Sequence, residues 1–194
     1  RLSIFSGGFS IDAAESVCNI EGGRDILESL SNLVDNSLIY REATDEGIPR
    51  FGMLETIREF ALEKLEASGE RDELQKHHAR YYGEITVAQV GVELYSEKAL
   101  HWLNWTEREL SNLRAALEWS LSDGGDLQLG TEIVFALIWF WYRRGYFLEG
   151  LTWAEKFLAK PELQDPSPLR ALALQSAGLL QVWKGDQDEG LSRL

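Results

Sequence analysis

The sequence predicts a mainly α-helical protein, with a winged-helix-like N-terminal unit holding one β-hairpin, followed by TPR-like α–α superhelical repeats. Three observations carry this expectation. Two short helical segments within residues 10–36 are followed directly by two β-like runs around a turn, which is the order of a wing. From Leu54 onward, apolar residues return at steps of three and four, the period of helices that bury one face. Finally, Gly145-x-x-x-Glu149-Gly150-Leu151 recurs 40 residues later as Gly185-x-x-x-Glu189-Gly190-Leu191. We expect a winged-helix-like domain over 1–70, a connecting helical segment over 71–130 and helical repeats over 131–194.

Each element has a local reason. Ser10 suits the N-cap of a helix through Cys18, with Asp12 placed to favour its positive end. After Glu21-Gly22-Gly23, the spacing Ile26, Leu27, Leu30, Leu33, Val34 gives one apolar face to a helix within 24–36, which Asp35-Asn36-Ser37 ends. Leu38-Ile39-Tyr40 and Arg50-Phe51-Gly52-Met53 read as strands around Asp45-Glu46-Gly47, the one convincing β signal. A helix from Leu54 carries Ile57, Phe60, Ala61 and Leu65 on one face, with Gly69 as its stop. The next presents Leu74, His78, Tyr81, Ile85, Ala88 and Val92 as a seam, and another carries Leu110, Leu113, Leu117 and Leu121 up to Gly124-Gly125. An aromatic helix over 131–144, a helix over 147–159, a break at Pro161, Pro166 and Pro168, and helices near 169–184 and 187–194 complete the chain.

In each copy of the repeated motif a small residue stands at the bend between two helices, and a second stands where the paired helices must approach closely. The offset exceeds the 34-residue TPR period by about six, which the Pro-marked linker can absorb.

Composition narrows the function classes. The net charge is −13, with 6 basic and 14 acidic residues in 1–70, so a surface built to bind phosphate is not expected. We therefore expect no direct nucleic-acid contact, although a wing usually suggests one: Arg24 faces Asp25, Glu28 and Asp35 in sequence, and Arg41 and Arg50 face Glu42, Asp45 and Glu46. One cysteine, Cys18, permits no internal disulfide and fits a reducing, cytoplasmic compartment as a small core residue. The longest apolar run, Ile133 to Tyr142, is half of what a membrane helix needs, so no membrane partner is expected. His77 and His78 point about 100° apart on a helix and make no metal pair. No phosphate loop, zinc pattern or Ser-His-Asp set is present, so no catalytic, cofactor or metal residues are expected and the chain is not expected to be an enzyme. Arg1 in place of Met, and a last segment that reads as unfinished helix, lead us to expect further sequence on both sides.

Four segments carry a resemblance: Arg1-Leu-Ser-Ile-Phe-Ser-Gly-Gly-Phe9, Leu30-Ser-Asn-Leu-Val-Asp-Asn-Ser-Leu38, Met53-Leu-Glu-Thr-Ile-Arg-Glu-Phe-Ala61 and Asn112-Leu-Arg-Ala-Ala-Leu117. They resemble bacterial STAND-class signal-transduction NTPases, LuxR-type and related predicted ATPases. In these a P-loop module is followed by a winged helix and TPR-type sensor repeats. The resemblance implies a switch arm whose wing region packs on the nucleotide module. In related plant-resistance and apoptotic NTPases a Met-His-Asp motif senses the ADP phosphate; here Met53, Leu54 and Glu55 stand in its place. Leucine donates no hydrogen bond, so the resemblance implies that Met53, Leu54, Glu55 and Arg58 dock against the module without touching nucleotide.

A second candidate surface is aromatic. Trp139, Trp141, Tyr142, Tyr146 and Trp153 could line a partner or effector groove, with core packing as the alternative, since Trp139 and Trp141 cannot share one helix face. The resulting expectation is a non-catalytic regulatory fragment whose partners are an intramolecular NTPase module, a partner protein or a small-molecule inducer. A plain TPR-type scaffold and a DNA-binding winged helix are the alternatives.

Overall fold

The computed structural model describes residues 1–20, 22–23, 25–43, 49–93 and 96–194. Its helices and one three-stranded antiparallel sheet make a mainly α fold. Two compact units are distinguished, Arg1–Tyr81 with Arg108–Ala115, and Tyr82–Glu107 with Ala116–Leu194.

In the first unit a 3-10 turn (Leu2–Ile4) leads to β1 (Phe9–Ser10), α1 (Ile11–Cys18), α2 (Ile26–Asp35), β2 (Tyr40–Glu42), β3 (Arg50–Gly52), α3 (Glu55–Ser68) and the start of α4 (Arg71–Ile85). The sheet order β1-β3-β2, with two helices between its first strand and its hairpin, is that of a winged helix. Side-chain caps start both intervening helices. Ser10 Oγ accepts from the Ala13 N–H at 3.1 Å, and Asp25 Oδ1 from the Glu28 N–H at 2.9 Å; each such cap contributes about 1 kcal/mol.

Two strand expectations are corrected. The first hairpin strand starts at Tyr40, because Ser37 sits at φ +57 and the Leu38 N–H turns back to the Leu33 carbonyl at 2.9 Å, extending the end of α2 through Leu38 and Ile39. Strand β1, which pairs Phe9 with Phe51, was not expected, since two residues are too few to show alternation. The turn expected at Asp45-Glu46-Gly47 lies outside the described residues, as do Glu21 and Arg24.

The core of this unit stacks Phe5 on Phe9 at 4.7 Å and Phe9 on Phe51 at 6.1 Å. Beside it lies a buried polar hub on Asn112, whose Oδ1 accepts from the Ser6 N–H at 2.8 Å. Its amide donates to the Gly8 carbonyl at 3.0 Å and to Glu109 Oε2 at 2.8 Å. Glu109, 3% exposed, also holds Arg50 from β3. His78 Nε2 lies 3.2 Å from Asn112 Oδ1, so the neutral ring carries its proton on Nε2 and donates.

Burial pushes His78 down to about 4, against the hydrogen bond to Asn112, which raises it. The unfolded chain therefore takes up this proton at a higher pH than the folded one. The His78 contribution to stability is complete above about pH 6.5 and is lost as pH falls from there toward 4, by roughly 3 kcal/mol. Urea unfolding at pH 7 and pH 4.5 should show this loss, and His78→Gln, which still donates to Asn112, should remove most of it. An equal acid loss in the variant would show that His78 is not its source.

The seam expected along α4 holds at Leu74 and His78 and then rotates. Tyr82, Thr86 and Val90 are buried, Tyr81 and Ile85 are half-buried, and Ala88 and Val92 are exposed. The shift begins at Tyr82, and the π-helical stretch that follows, Thr86–Val90, carries the buried row on through Thr86 and Val90.

The second unit continues from that stretch through α5 (Gly91–Glu93), α6 (Ala99–Ser120), α7 (Leu127–Ala136), α8 (Ile138–Arg144), α9 (Phe147–Leu158), a 3-10 turn (Pro161–Leu163), α10 (Pro168–Lys184) and α11 (Gln187–Arg193). Residues Arg108–Ala115 of α6 belong to the first unit. The aromatic helix expected over 131–144 starts earlier, where Asp126 caps Leu129 at 3.0 Å, and is interrupted at Leu137 (ψ −2). Ser167 caps α10 and Pro168 opens it, as the Pro-marked break predicted.

The repeated motif has the same geometry in both copies. Gly145 (φ +73) and Gly185 (φ +111) end α8 and α10 in the left-handed region. The next N–H, of Tyr146 or Asp186, reaches back to the carbonyl of Trp141 at 2.9 Å or Gln181 at 3.0 Å, which is a Schellman motif. The second glycine gives close approach: a Cβ on Gly150 would lie 2.5 Å from the Trp141 ring, and one on Gly190 would lie 2.8 Å from the Gly178 carbonyl.

Candidate functional site

The first unit carries an open apolar groove of about 500 Å³ between the N-terminal turn, α2 and α3. Leu30, Leu33 and Leu38 form one wall, and Ile57, Phe60 and Leu65 form the other. The apolar face expected on α3 thus exists, but Leu65 alone on it is fully buried, while Phe60 is 60% exposed. Arg1 and Lys64 stand at the rim, with Arg1 Nε donating to Glu70 at 3.0 Å. Among the described residues Leu38 and Phe60 stay exposed beside it, and exposed apolar patches of this kind can serve as interaction surfaces.

The four residues singled out at the start of α3 lie close together in the chain but differ in role. Met53 is half-buried and lines the groove. Leu54 occupies the N-cap of α3 and is 57% exposed. Glu55 and Arg58 pair with each other at 2.7 Å, and this hydrogen bond holds the Glu55 carboxyl below its ordinary range. Phe60 and Leu38, which also line the groove, were not singled out as candidates, because periodicity marks an apolar face without showing whether it is covered.

Charge around α2 is acidic. Asp25 caps the helix, Glu28 and Asp35 lie on it, and its described residues include no Lys or Arg. In the hairpin Arg50 is 6% exposed and held by Glu109, so of the two hairpin arginines Arg41 alone faces solvent.

The aromatic candidates of the second unit separate into core and surface. Trp141 is 1% exposed and Trp153 is 6% exposed, the latter under Lys156 Nζ at 4.1 Å from its ring centroid. These two are packing residues, because Gly150 opens the space that the Trp141 ring fills. Tyr146 is half turned to solvent and donates its hydroxyl to Glu107 at 2.9 Å. Trp139 and Tyr142 join a residue the sequence did not single out, Trp183, with centroids 5.3 and 4.6 Å from it. Trp139 and Trp183 line a second groove, of about 470 Å³, between α7, α8, α10 and the π-helical stretch. Its signal in sequence was the spacing Leu172, Gln175, Leu179, Trp183 along one face of α10.

Residues 1–66 match the winged helix-turn-helix domain family. Over 191 residues the chain is 32% identical to a predicted HTH-type transcriptional regulator of Mycobacterium tuberculosis, covering 94% of this chain and 21% of that protein. The Mycobacterium bovis counterpart matches equally. An uncharacterized protein of Mycobacterium tuberculosis is 34% identical over 84 residues, covering 42% of this chain and 21% of that protein. The chain spans about a fifth of the length of the predicted regulators it matches. No solved structure matches it. Among the described residues no helix is long and apolar enough to cross a membrane.

Proposed function

We propose that the chain is a non-catalytic regulatory arm of a longer, cytoplasmic STAND-type transcriptional regulator. In this reading the winged-helix unit docks on an NTPase module, and TPR-like sensor repeats receive an inducer or partner protein and bias that docking. The observation that carries the reading is the open groove between α2 and α3, with Phe60 and Leu38 exposed on it and Leu54 exposed at the start of α3. Likeness to much longer predicted regulators supports it, and so does the acidic α2, which favours a protein surface over DNA.

The test is calorimetric titration of the chain with the separately produced NTPase module of the same regulator, in its ADP-bound and ATP-bound states. Binding is expected in one state, weakened at least about tenfold by Phe60→Asp, since burying an unpaired carboxylate in an apolar interface costs more than 1.4 kcal/mol. Absence of binding in both states contradicts the reading.

Direct DNA binding is the second reading, favoured by the winged helix-turn-helix match over residues 1–66. It predicts salt-dependent anisotropy changes with duplex DNA that Arg41→Ala weakens. Docking predicts no such change.

A further inference from the structure

The groove of the second unit is unlike the first. Trp139 and Trp183 line it, their ring planes inclined to each other by 47°, and Tyr142 packs against both, at 5.2 and 4.6 Å. The rest of its wall is mostly aliphatic, and Phe135 contributes a partly exposed third ring. Among the described lining residues Glu132 is the only charged one, and Lys and Arg are absent from the lining. Gln128 Nε2 donates to Glu132 Oε1 at 2.9 Å and so restrains the carboxylate. Glu132, Phe135 and Trp139 follow one another at steps of three and four, along one face across the Leu137 interruption. The volume, about 470 Å³, is that of a small-molecule site.

Aromatic faces present negative potential, and a restrained carboxylate adds a full negative charge in a wall that otherwise offers apolar contact. An anion is repelled by both, and a strongly hydrated ion gains nothing from the aliphatic wall. From this charge complementarity we propose that the groove binds a small organic cation with an apolar body, its ammonium held between the Trp139–Trp183 pair and Glu132. The consequence of binding rests on the sensor-arm reading above, since this ligand would be the inducer; the site itself stands without it.

The test uses the whole chain and three probes that share a naphthalene body: (naphthalen-1-ylmethyl)trimethylammonium, naphthalen-1-ylmethanol and naphthalen-1-ylacetate, titrated by calorimetry. The cation is expected to bind about tenfold more tightly than the alcohol, and the acetate not at all. Glu132→Gln, a change on a partly exposed helix face, is expected to remove most of that preference. Trp183→Ala is expected to weaken the cation and the alcohol together, with folding checked by thermal melting. Equal binding of cation and alcohol, a preference that survives Glu132→Gln, or no binding of the cation overturns the proposal. Binding of a lysine-bearing amphipathic peptide without the small cation overturns it in favour of a protein partner, and self-association blocked by Trp183→Ala overturns it in favour of a second copy. Cation binding to the chain without any effect on docking to the NTPase module would leave the site standing and contradict the sensor-arm reading alone.

Discussion

Replacing Glu109 by alanine is expected to destabilise the winged-helix unit by about 3–5 kcal/mol, the cost of breaking a buried ion pair by removing one partner. Glu109 and Arg50 are 3% and 7% exposed at their side chains, and Arg50 keeps a longer contact to Glu42 Oε2 at 3.4 Å. The substitution removes the carboxylate closest to the guanidinium and the Oε2 acceptor of the Asn112 amide together. Because Asn112 in turn holds the Ser6 N–H and the Gly8 carbonyl, the loss should reach the loop before β1. Urea unfolding followed by circular dichroism measures it. The double substitution Arg50→Met, Glu109→Leu should cost much less than Glu109→Ala, since no buried charge is left behind. A Glu109→Ala cost below about 1 kcal/mol would mean that water reaches the pair as it does a surface salt bridge.

Trp141→Ala should cost about 3–5 kcal/mol in the second unit, the usual range for emptying a fully buried aromatic site. The ring is 1% exposed and lies against the backbone of Gly150, where the helix cannot close over a cavity without moving α9. Its indole N–H finds no acceptor among the described residues. Trp141→Phe removes that orphaned donor along with some volume, so it should cost much less than alanine. Trp139→Ala, on the half-buried neighbour two residues away, should cost clearly less, since only its ring contacts with Tyr142 and Trp183 and part of its burial are lost. Equal losses for Trp139→Ala and Trp141→Ala would contradict the division of the aromatic cluster into core and surface.

That division shows what the sequence could and could not disclose. The repeat was legible because glycine is required twice for backbone reasons: once for positive φ at Gly145 and Gly185, once for close approach at Gly150 and Gly190. The caps Ser10 and the Pro168 helix start were legible for the same kind of local reason. The buried hub was not. Asn112, Glu109, Arg50 and His78 come from α6, β3 and α4, and their pairing depends on tertiary placement that no local spacing encodes. Of the candidate sites, the start of α3 was singled out by resemblance, and the groove that Met53 lines needed Phe60 and Leu38 to be seen uncovered. Trp183 was overlooked because it stands more than 40 residues from Trp139 in sequence, although their rings are 5.3 Å apart.

Docking of the winged-helix unit is the central proposal, and hydrogen–deuterium exchange on a regulator that carries both this chain and the proposed NTPase module tests it most directly. Exchange at residues 54–65 is compared between the ADP-bound and ATP-bound states, with Phe60→Asp as the control. Slower exchange of α3 in one nucleotide state, abolished by Phe60→Asp, is the result this account predicts. Identical exchange of α3 in both states, with α3 as open to solvent as in the chain alone, would contradict it.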